Sequence, residues 1–330
     1  MRGTPAAADL QIRTLTSFDD PALGAERWDR LLAGETESVF LTHAWQRLWW
    51  QTMGERGLMI VLAERGGEPF ALAPLFAASG VLLPIGSGNA DSLDVIGHPD
   101  EQALAAMLGE ARDALPEFAG IELYHLPANS PTRALLPGVA ARLGLELQSE
   151  EEEGAPYADL HDAEVVERLV SRRSVRKEEA RMDRVSPLRV RTAAAGELDD
   201  LLDLFLRQHG ARWRAAGQAS FDTPRSRDLV RTVVENGQRD GWARLTVLEW
   251  RDAAAAIDIS LIRGTTQLSW LVSRDPSIHD YSPGRVLGAH VVRAAVEAGM
   301  RRLDFGLGEE GHKLRDTSGV TPIANWFMYP

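Results

Sequence analysis

One stretch limits the possible folds of this chain more than any other. The apolar run 267–273 does not turn back as a hairpin. It passes through the polar connection Arg274-Asp275-Pro276-Ser277-Ile278-His279-Asp280-Tyr281-Ser282-Pro283-Gly284 into a helical pattern over 285–298. Gly299 stops that helix, and a second apolar run, 302–305, closes on Asp304-Phe305-Gly306-Leu307-Gly308. Strand, crossover helix and strand make parallel neighbours, and they set the start of the helix beside the end of a strand. Helix starts carry N–H groups without intrahelical acceptors, which suit an anion such as a phosphate. Ser282 is placed to cap the helix, Pro283 suits its first turn, and Gly284 admits close approach to the backbone.

The segments before it complete a sheet. Runs 243–250, 256–263 and 267–273 read as strands, the last two joined at Gly264-Thr265 as antiparallel neighbours. A helix over 197–214 places Leu198, Leu202, Phe205, His209 and Trp213 on one stripe. Thr223-Pro224 starts another helix, which Gly237 is expected to end. A terminal strand is expected over 323–329.

The first half follows a similar plan. Strand 10–14 and helices 25–33 and 42–53 lead to runs 59–64 and 69–77, with Arg65-Gly66-Gly67-Glu68 as the hairpin turn. Trp45 and Trp49 lie one helical turn apart and read as core. The segment Gly86-Ser87-Gly88-Asn89-Ala90-Asp91-Ser92 lacks a following lysine, so it is no nucleotide P-loop; it reads as an ordinary loop or a groove-lining one. Strand 93–96, helix 100–115, strand 121–126, helix 131–143 and the acidic run 150–153 finish this half.

Length and charge narrow the field. At 330 residues the chain suits two domains. Without cysteine, disulfides, thiolate metal sites and a cysteine nucleophile are excluded, and no His/Asp/Glu spacing resembles a metal site. The first residues lack a secretory core and no apolar run is long enough to span a bilayer, so cytoplasmic residence is the expectation. A net charge of −12 disfavours general nucleic-acid binding. Locally, residues 168–191 hold nine basic and three acidic side chains on an expected helix, read either as a solvated face or as an anion-binding surface.

Antiparallel strands, a polar loop, a helix and a crossing strand resemble the GNAT acetyltransferase fold. The motifs His209-Gly210-Ala211-Arg212-Trp213, Ser282-Pro283-Gly284 with Leu287, and Asp304 to Gly308 followed by Lys313 are similar to the CelD-like, or BioF-type, group. That group comprises tandem GNAT-like proteins related to the FemABX peptidyltransferases. Phe40 with Trp45 and Trp49, and Pro74-Leu75, resemble its N-terminal domain. The usual spaced-glycine signature is reduced here to Gly284, and His312-Lys313 stands where a tyrosine usually precedes the lysine.

The resemblance implies an α/β (α+β) chain of two tandem GNAT-like domains, each a mixed, mostly antiparallel sheet flanked by helices. A flexible tail would cover 1–8, a degenerate, acceptor-side domain 9–160, and the acyltransferase domain 161–330. It implies N-acyl transfer from acetyl-CoA or another acyl-CoA to a primary amine of a small molecule, amino sugar or peptide, with no metal. The alternatives are a FemABX-like transferase using charged tRNA, docked on 168–191, or a non-catalytic binding protein in polysaccharide biosynthesis.

Acyl transfer needs a neutral amine, a polarised carbonyl and a protonated leaving thiolate. By resemblance, a backbone N–H within 267–273 polarises the carbonyl. Leu271, Val272, Ser273, Ser282, Pro283, Gly284, Arg285 and Val286 are the expected cofactor contacts. Asp258, Asp304, Glu309 and Glu310 are candidate bases: Asp304 is read first as a brace for its loop, and Glu309, in a loop, first as the base. Tyr281 is a candidate proton donor or a packing residue, and Lys313 a candidate compact ammonium. His209, Arg212, Trp213, Asp258, Trp270 and His312 are the expected acceptor-side residues. For His209 the simpler reading is a partly buried histidine with one ring nitrogen bonded locally.

Overall fold

In the computed structural model the described residues are 9–34, 37–215, 221, 223–309, 311, 313–314 and 317–330. The tail expected over 1–8 lies outside them, as do Glu310 and His312. The chain forms two compact units, Met1–Glu153 with Thr321–Pro330, and Gly154–Val320. The second half was expected to keep its own terminal strand, but residues from Thr321 onward return to the first unit. There they pair with a strand from that unit, as Ile323 with Pro127 and Met328 with Ile121 show.

The first unit contains β1 (Leu10–Leu15), α1 (Ala25–Leu31), α2 (His43–Met53), β2 (Leu58–Arg65), β3 (Glu68–Ala78), β4 (Val81–Pro84), β5 (Ile96–Gly97), α3 (Glu101–Asp113), β6 (Gly120–Pro127) and α4 (Pro131–Leu143). β1, β2, β3 and β4 are successive antiparallel neighbours. β6 then joins β4 in parallel, through Val81–Gly120 and Leu82–Ile121 alone. Alternate residues of these strands pack under α3 and α4, with Leu104, Met107, Leu136 and Val139 buried against Val61, Ile121 and Leu123. Trp45 and Trp49 are core, as their helical spacing required.

Three strands escape a pattern search. β4 is only four residues long. β7 (Glu146–Asp159) contains the acidic run 150–153, which the sequence offers only as a charge run and not as a strand. β8 (Arg189–Thr192) lies inside the basic stretch. That stretch is not one helix: it divides into α6 (Arg173–Asp183), preceded by α5 (Ala163–Ser171) and separated from it by extended Arg172, followed by β8.

The second unit continues with α7 (Leu198–Ala215), α8 (Pro224–Asp240), β9 (Ala243–Trp250), β10 (Ala253–Arg263), β11 (Thr266–Arg274), α9 (Pro283–Glu297), β12 (Arg302–Asp304) and β13 (Gly319–Tyr329), the strand that crosses back to the first unit. Its sheet runs β7-β12-β11-β10-β9-β8, with β11 and β12 parallel and the other paired strands antiparallel. One face packs α7 and α8 on Leu245, Val247, Ile257 and Ile259. The other packs α9 and α6 on Leu248, Trp250 and Ala256.

Gly237 does not end α8. The helix runs on to Asp240 and stops at Gly241, whose φ of 84° is left-handed. A Cβ at Gly237 would lie 2.4 Å from the Ala243 Cβ, so this glycine serves a close approach to β9.

Phe205 has no exposed surface and sits between α7 and the β10 face. Replacing it with alanine should cost about 3–5 kcal/mol. Urea unfolding followed by tryptophan fluorescence reads this directly, and a loss below about 1 kcal/mol would contradict the packing described.

Candidate functional site

β11 pairs with β12 only through Thr266–Arg302, Gln267–Leu303 and Leu268–Asp304. β12 ends at Asp304 while β11 continues to Arg274. Beyond Leu268 the two strands part, and the main chain of β11 on that side leaves the ladder. Trp270, Leu271 and Val272 are half-buried there, whereas Ile257 and Ile259 on the neighbouring strand are fully buried. Ser260 pairs with Ser269 and Ile259 with Leu271, so Trp270 is the extra residue of a bulge. The bulge sends both Trp270 and Leu271 toward the α7 face.

α9 begins beside the far end of β11. Ser282 does not cap it as expected. Its backbone is left-handed (φ 49°, ψ 47°) rather than extended, and its hydroxyl makes no cap bond. Arg285 and Val286 donate their N–H groups to Ser282 O at 2.9 and 3.3 Å. At Gly284 an added Cβ would meet only Val272 Cγ1, 4.0 Å away. Pro283 and Val286 are buried anchors of this first turn, and Arg285 is exposed.

The corresponding place in the first unit is closed by its own chain. Past Leu82–Ile121, β4 and β6 also part, but Leu93 N–H donates to His125 O at 3.1 Å and the His125 ring lies 2.5 Å from Ala90 O. Ala90 and Leu93 are buried beneath that crossing, so the Gly86 to Ser92 loop leads into a plug. At the start of α3 the Asp100 carboxylate accepts the Ala103 N–H at 2.8 Å and pairs with Arg65 at 2.5 Å. These two partners, Ala103 first, hold the carboxyl below its usual range. An anion already occupies that helix start.

His209 and Asp258 flank β11 from either face. The Nδ1 of His209 is 3.2 Å from Val272 O, and its ring stacks on Phe205 at 5.2 Å beside Trp213 and Phe221. Burial lowers its pKa to about 4; the Val272 carbonyl opposes the shift and Arg212 adds to it. The simpler reading of His209 thus describes its geometry, and its bond ties α7 to β11. Arg212 lies over the Trp213 ring at 5.5 Å.

Asp258 is buried on the α9 face, opposite Val272. It accepts hydroxyl bonds from Ser260 (2.5 Å) and Ser269 (2.6 Å), and Gln267 Nε2 donates to Ser260 at 3.0 Å. Burial raises its pKa to about 6, the two serines and Arg244 opposing. Sequence reasoning found Asp258 but missed this network. Its signal was polar residues at i and i+2 on both strands, 258 and 260 on β10 and 267 and 269 on β11. Ser273 is tied to Gln208 by a 2.9 Å bond.

Each of the expected catalytic residues has a structural partner. Glu309, read first as a base, accepts the Gly154 N–H at 2.9 Å while Gly308 N–H donates to Gly154 O, a clip that holds the loop to β7. Lys313 donates to Leu307 O at 2.7 Å. Asp304 accepts from Arg302 Nε at 2.7 Å, and that guanidinium lies over Tyr157. Tyr281 takes the packing role: its ring is 4.7 Å from Trp250 and lies under Arg181. Among the described residues no group of three or more His, Asp or Glu could hold a metal, and no helix is long and apolar enough to cross a membrane.

The two buried groups predict opposite pH slopes. His209 binds protons less readily in the folded state, so its stability contribution is complete above pH 6.5 and lost on acidification toward pH 4, on the order of 3 kcal/mol in all. Asp258 binds protons more readily when folded, so its contribution is present below pH 3.8 and lost as pH rises through about 6. Urea titrations from pH 4 to 7 should show Asp258→Asn losing stability on acidification more steeply than wild type, and His209→Gln less steeply. Parallel profiles would contradict both assignments.

Comparison with known proteins agrees with this architecture. Residues 170–314 match the acetyltransferase (GNAT) domain family. No curated protein matches the sequence. Among solved structures, FemX aligns at a TM-score of 0.66 and 14% identity, over 93% of this chain and 96% of FemX. L-PGS from Bacillus licheniformis aligns at 0.58 and 11%, over 96% and 93%. A tandem GNAT protein from the clavulanic acid biosynthesis pathway aligns at 0.56 and 13%, over 97% and 98%. Residues 170–314 are therefore similar to the GNAT domain family, within a chain whose fold is shared with FemX and a tandem GNAT protein.

Proposed function

We propose that this protein is an acyl-CoA-dependent N-acyltransferase that holds its acyl-CoA in the second unit. The observation carrying this reading is the start of α9: a helix N-terminus without a side-chain cap, open at Gly284, beside a strand whose partner has ended. The first-turn amides and the dipole of α9 suit a diphosphate. Along β11 past Leu268, main-chain groups left out of the ladder would bond a pantetheine arm. Leu271, Val272 and Ser273 supply that edge, and Ser282, Pro283, Gly284, Arg285 and Val286 the corner.

In the reaction an amine nitrogen attacks the thioester carbonyl, a β11 N–H stabilises the developing oxyanion, and the C–S bond breaks as the leaving thiolate takes up the proton that the amine releases. Asp304 stands at the last β11–β12 pair and is our candidate to take the amine proton. Glu309 and Lys313 hold the loop that follows it. Trp270, on the bulge, is assigned to the acceptor side, together with Arg212 and Trp213 of α7, while His209 holds α7 to β11. Asp258, beneath α9, braces β11. The acceptor is a primary amine of a small molecule, amino sugar or peptide. The first unit, with its plugged strand gap and its carboxylate-capped helix, takes no CoA.

The likeness to FemX favours a second reading, transfer of an aminoacyl group from charged tRNA. Isothermal titration separates the two. One acetyl-CoA per chain should bind and raise the melting temperature. Gly284→Ala should keep most of this affinity, because its Cβ meets only Val272, and Gly284→Glu should lose it by charge and bulk while the melting temperature without ligand holds. If neither parent nor variant binds acetyl-CoA, the acyl-CoA reading fails; two equivalents per chain would refute the closed first unit.

A further inference from the structure

Apart from Arg172, the basic stretch resolves into two kinds of cation. Arg168, Arg176, Arg189 and Arg191 are matched by Glu164, Glu167, Glu249 and Glu197. Arg173, Lys177, Arg181 and Arg184 behave differently. They follow at intervals of four, four and three and so form one row along α6, and all but Arg181 are exposed. The opposite side of the helix is anchored by Val175 and Met182, both buried. The Arg184 Nε caps its own helix through Ala180 O. No carboxylate faces Arg173 or Lys177 in an ion pair among the described residues.

This row ends at the candidate cofactor corner. Arg181 donates to Asp280 O at 3.0 Å and lies 4.3 Å above the Tyr281 ring, on the turn that immediately precedes α9. Two carboxylates are near: Glu178, 3.4 Å from Arg181, and Asp280, which is paired with His279 at 3.0 Å. They leave Arg173, Lys177 and Arg184 unneutralised. Arg274 and Arg285 add exposed positive charge at either end of the same turn. In a chain of net −12 this is a concentrated positive edge beside a helix start.

We infer that the α6 row binds a phosphate monoester carried on the ribose of the cofactor, the 3′-phosphate that distinguishes coenzyme A from its dephosphorylated form. The inference rests on the acyl-CoA reading above. A helix start offers directed N–H groups and a partial positive charge, enough to favour a diphosphate. A phosphate monoester carries nearly two negative charges near neutral pH and calls for whole cations. Arginine supplies a planar fork for its oxygens and lysine a point charge. The row supplies both, and Arg181 fixes its near end by stacking and by its carbonyl bond.

The test is titration of the full chain with coenzyme A and with 3′-dephospho-coenzyme A. Wild type should bind coenzyme A roughly tenfold more tightly. The double variant Arg173→Gln/Lys177→Gln, whose side chains are exposed, should weaken coenzyme A alone and close the gap. Raised salt should narrow it as well. Equal wild-type affinities would overturn the inference while leaving the acyl-CoA reading intact, and need no variant to fold. Binding of neither ligand would overturn both. Retention of unfractionated tRNA by wild type but not by the double variant would assign the row to nucleic acid and overturn the inference.

Discussion

The early end of one strand sets the geometry of the second unit. β12 contributes three residues to a parallel pair, and β11 has nine. Parallel strands require a crossover, and the crossover here is α9, whose start returns to the end of β11 that β12 does not reach. Three features then coincide without further design: an exposed main-chain edge, a helix N-terminus and a gap between diverging strands. A longer β12 would seal the edge with ladder bonds. An extended, hydroxyl-capped Ser282 would satisfy the helix internally. The chain has neither, and the left-handed Ser282 leaves the corner to Gly284 and Pro283.

The first unit shows what the same plan does when it is closed. β4 and β6 also share two parallel pairs and then diverge. Their gap is crossed by a loop that bonds His125 from two positions, and the helix that follows is capped by an aspartate held to Arg65. Both devices satisfy groups that would otherwise seek a ligand. The difference between the units lies in loop chemistry rather than in sheet topology.

Buried polar side chains fix β11 from both faces. His209 reaches the Val272 carbonyl from α7, and Asp258 gathers two serine hydroxyls beneath α9. Each is costly to bury and each is bonded, so neither can shift without leaving a polar atom unsatisfied. Their protonation preferences lie on opposite sides of the ordinary values, so acidification pulls against one and favours the other. β11 gains rigidity from such a pair.

Much of the fold was legible because periodicity reports burial. The stripe on α7, the hairpin at Gly264-Thr265, the Trp45 and Trp49 pair and the strand, loop, helix, strand order all follow from residue spacing. Short or charged strands were not legible: β4 offers four residues, and β7 carries an acidic run whose Glu150 and Glu151 are exposed. Gly237 looked like a stop and proved to be a packing glycine, a distinction that depends on where Ala243 lies. The sequence by itself determined which residues form the corner before α9 and that a helix start meets a strand end there. Only the tertiary structure decided that Glu309 is engaged by Gly154, that Tyr281 packs under Arg181, and that the cations of α6 align on that corner, because hydrogen-bond partners and facing charges are set by segments remote in sequence.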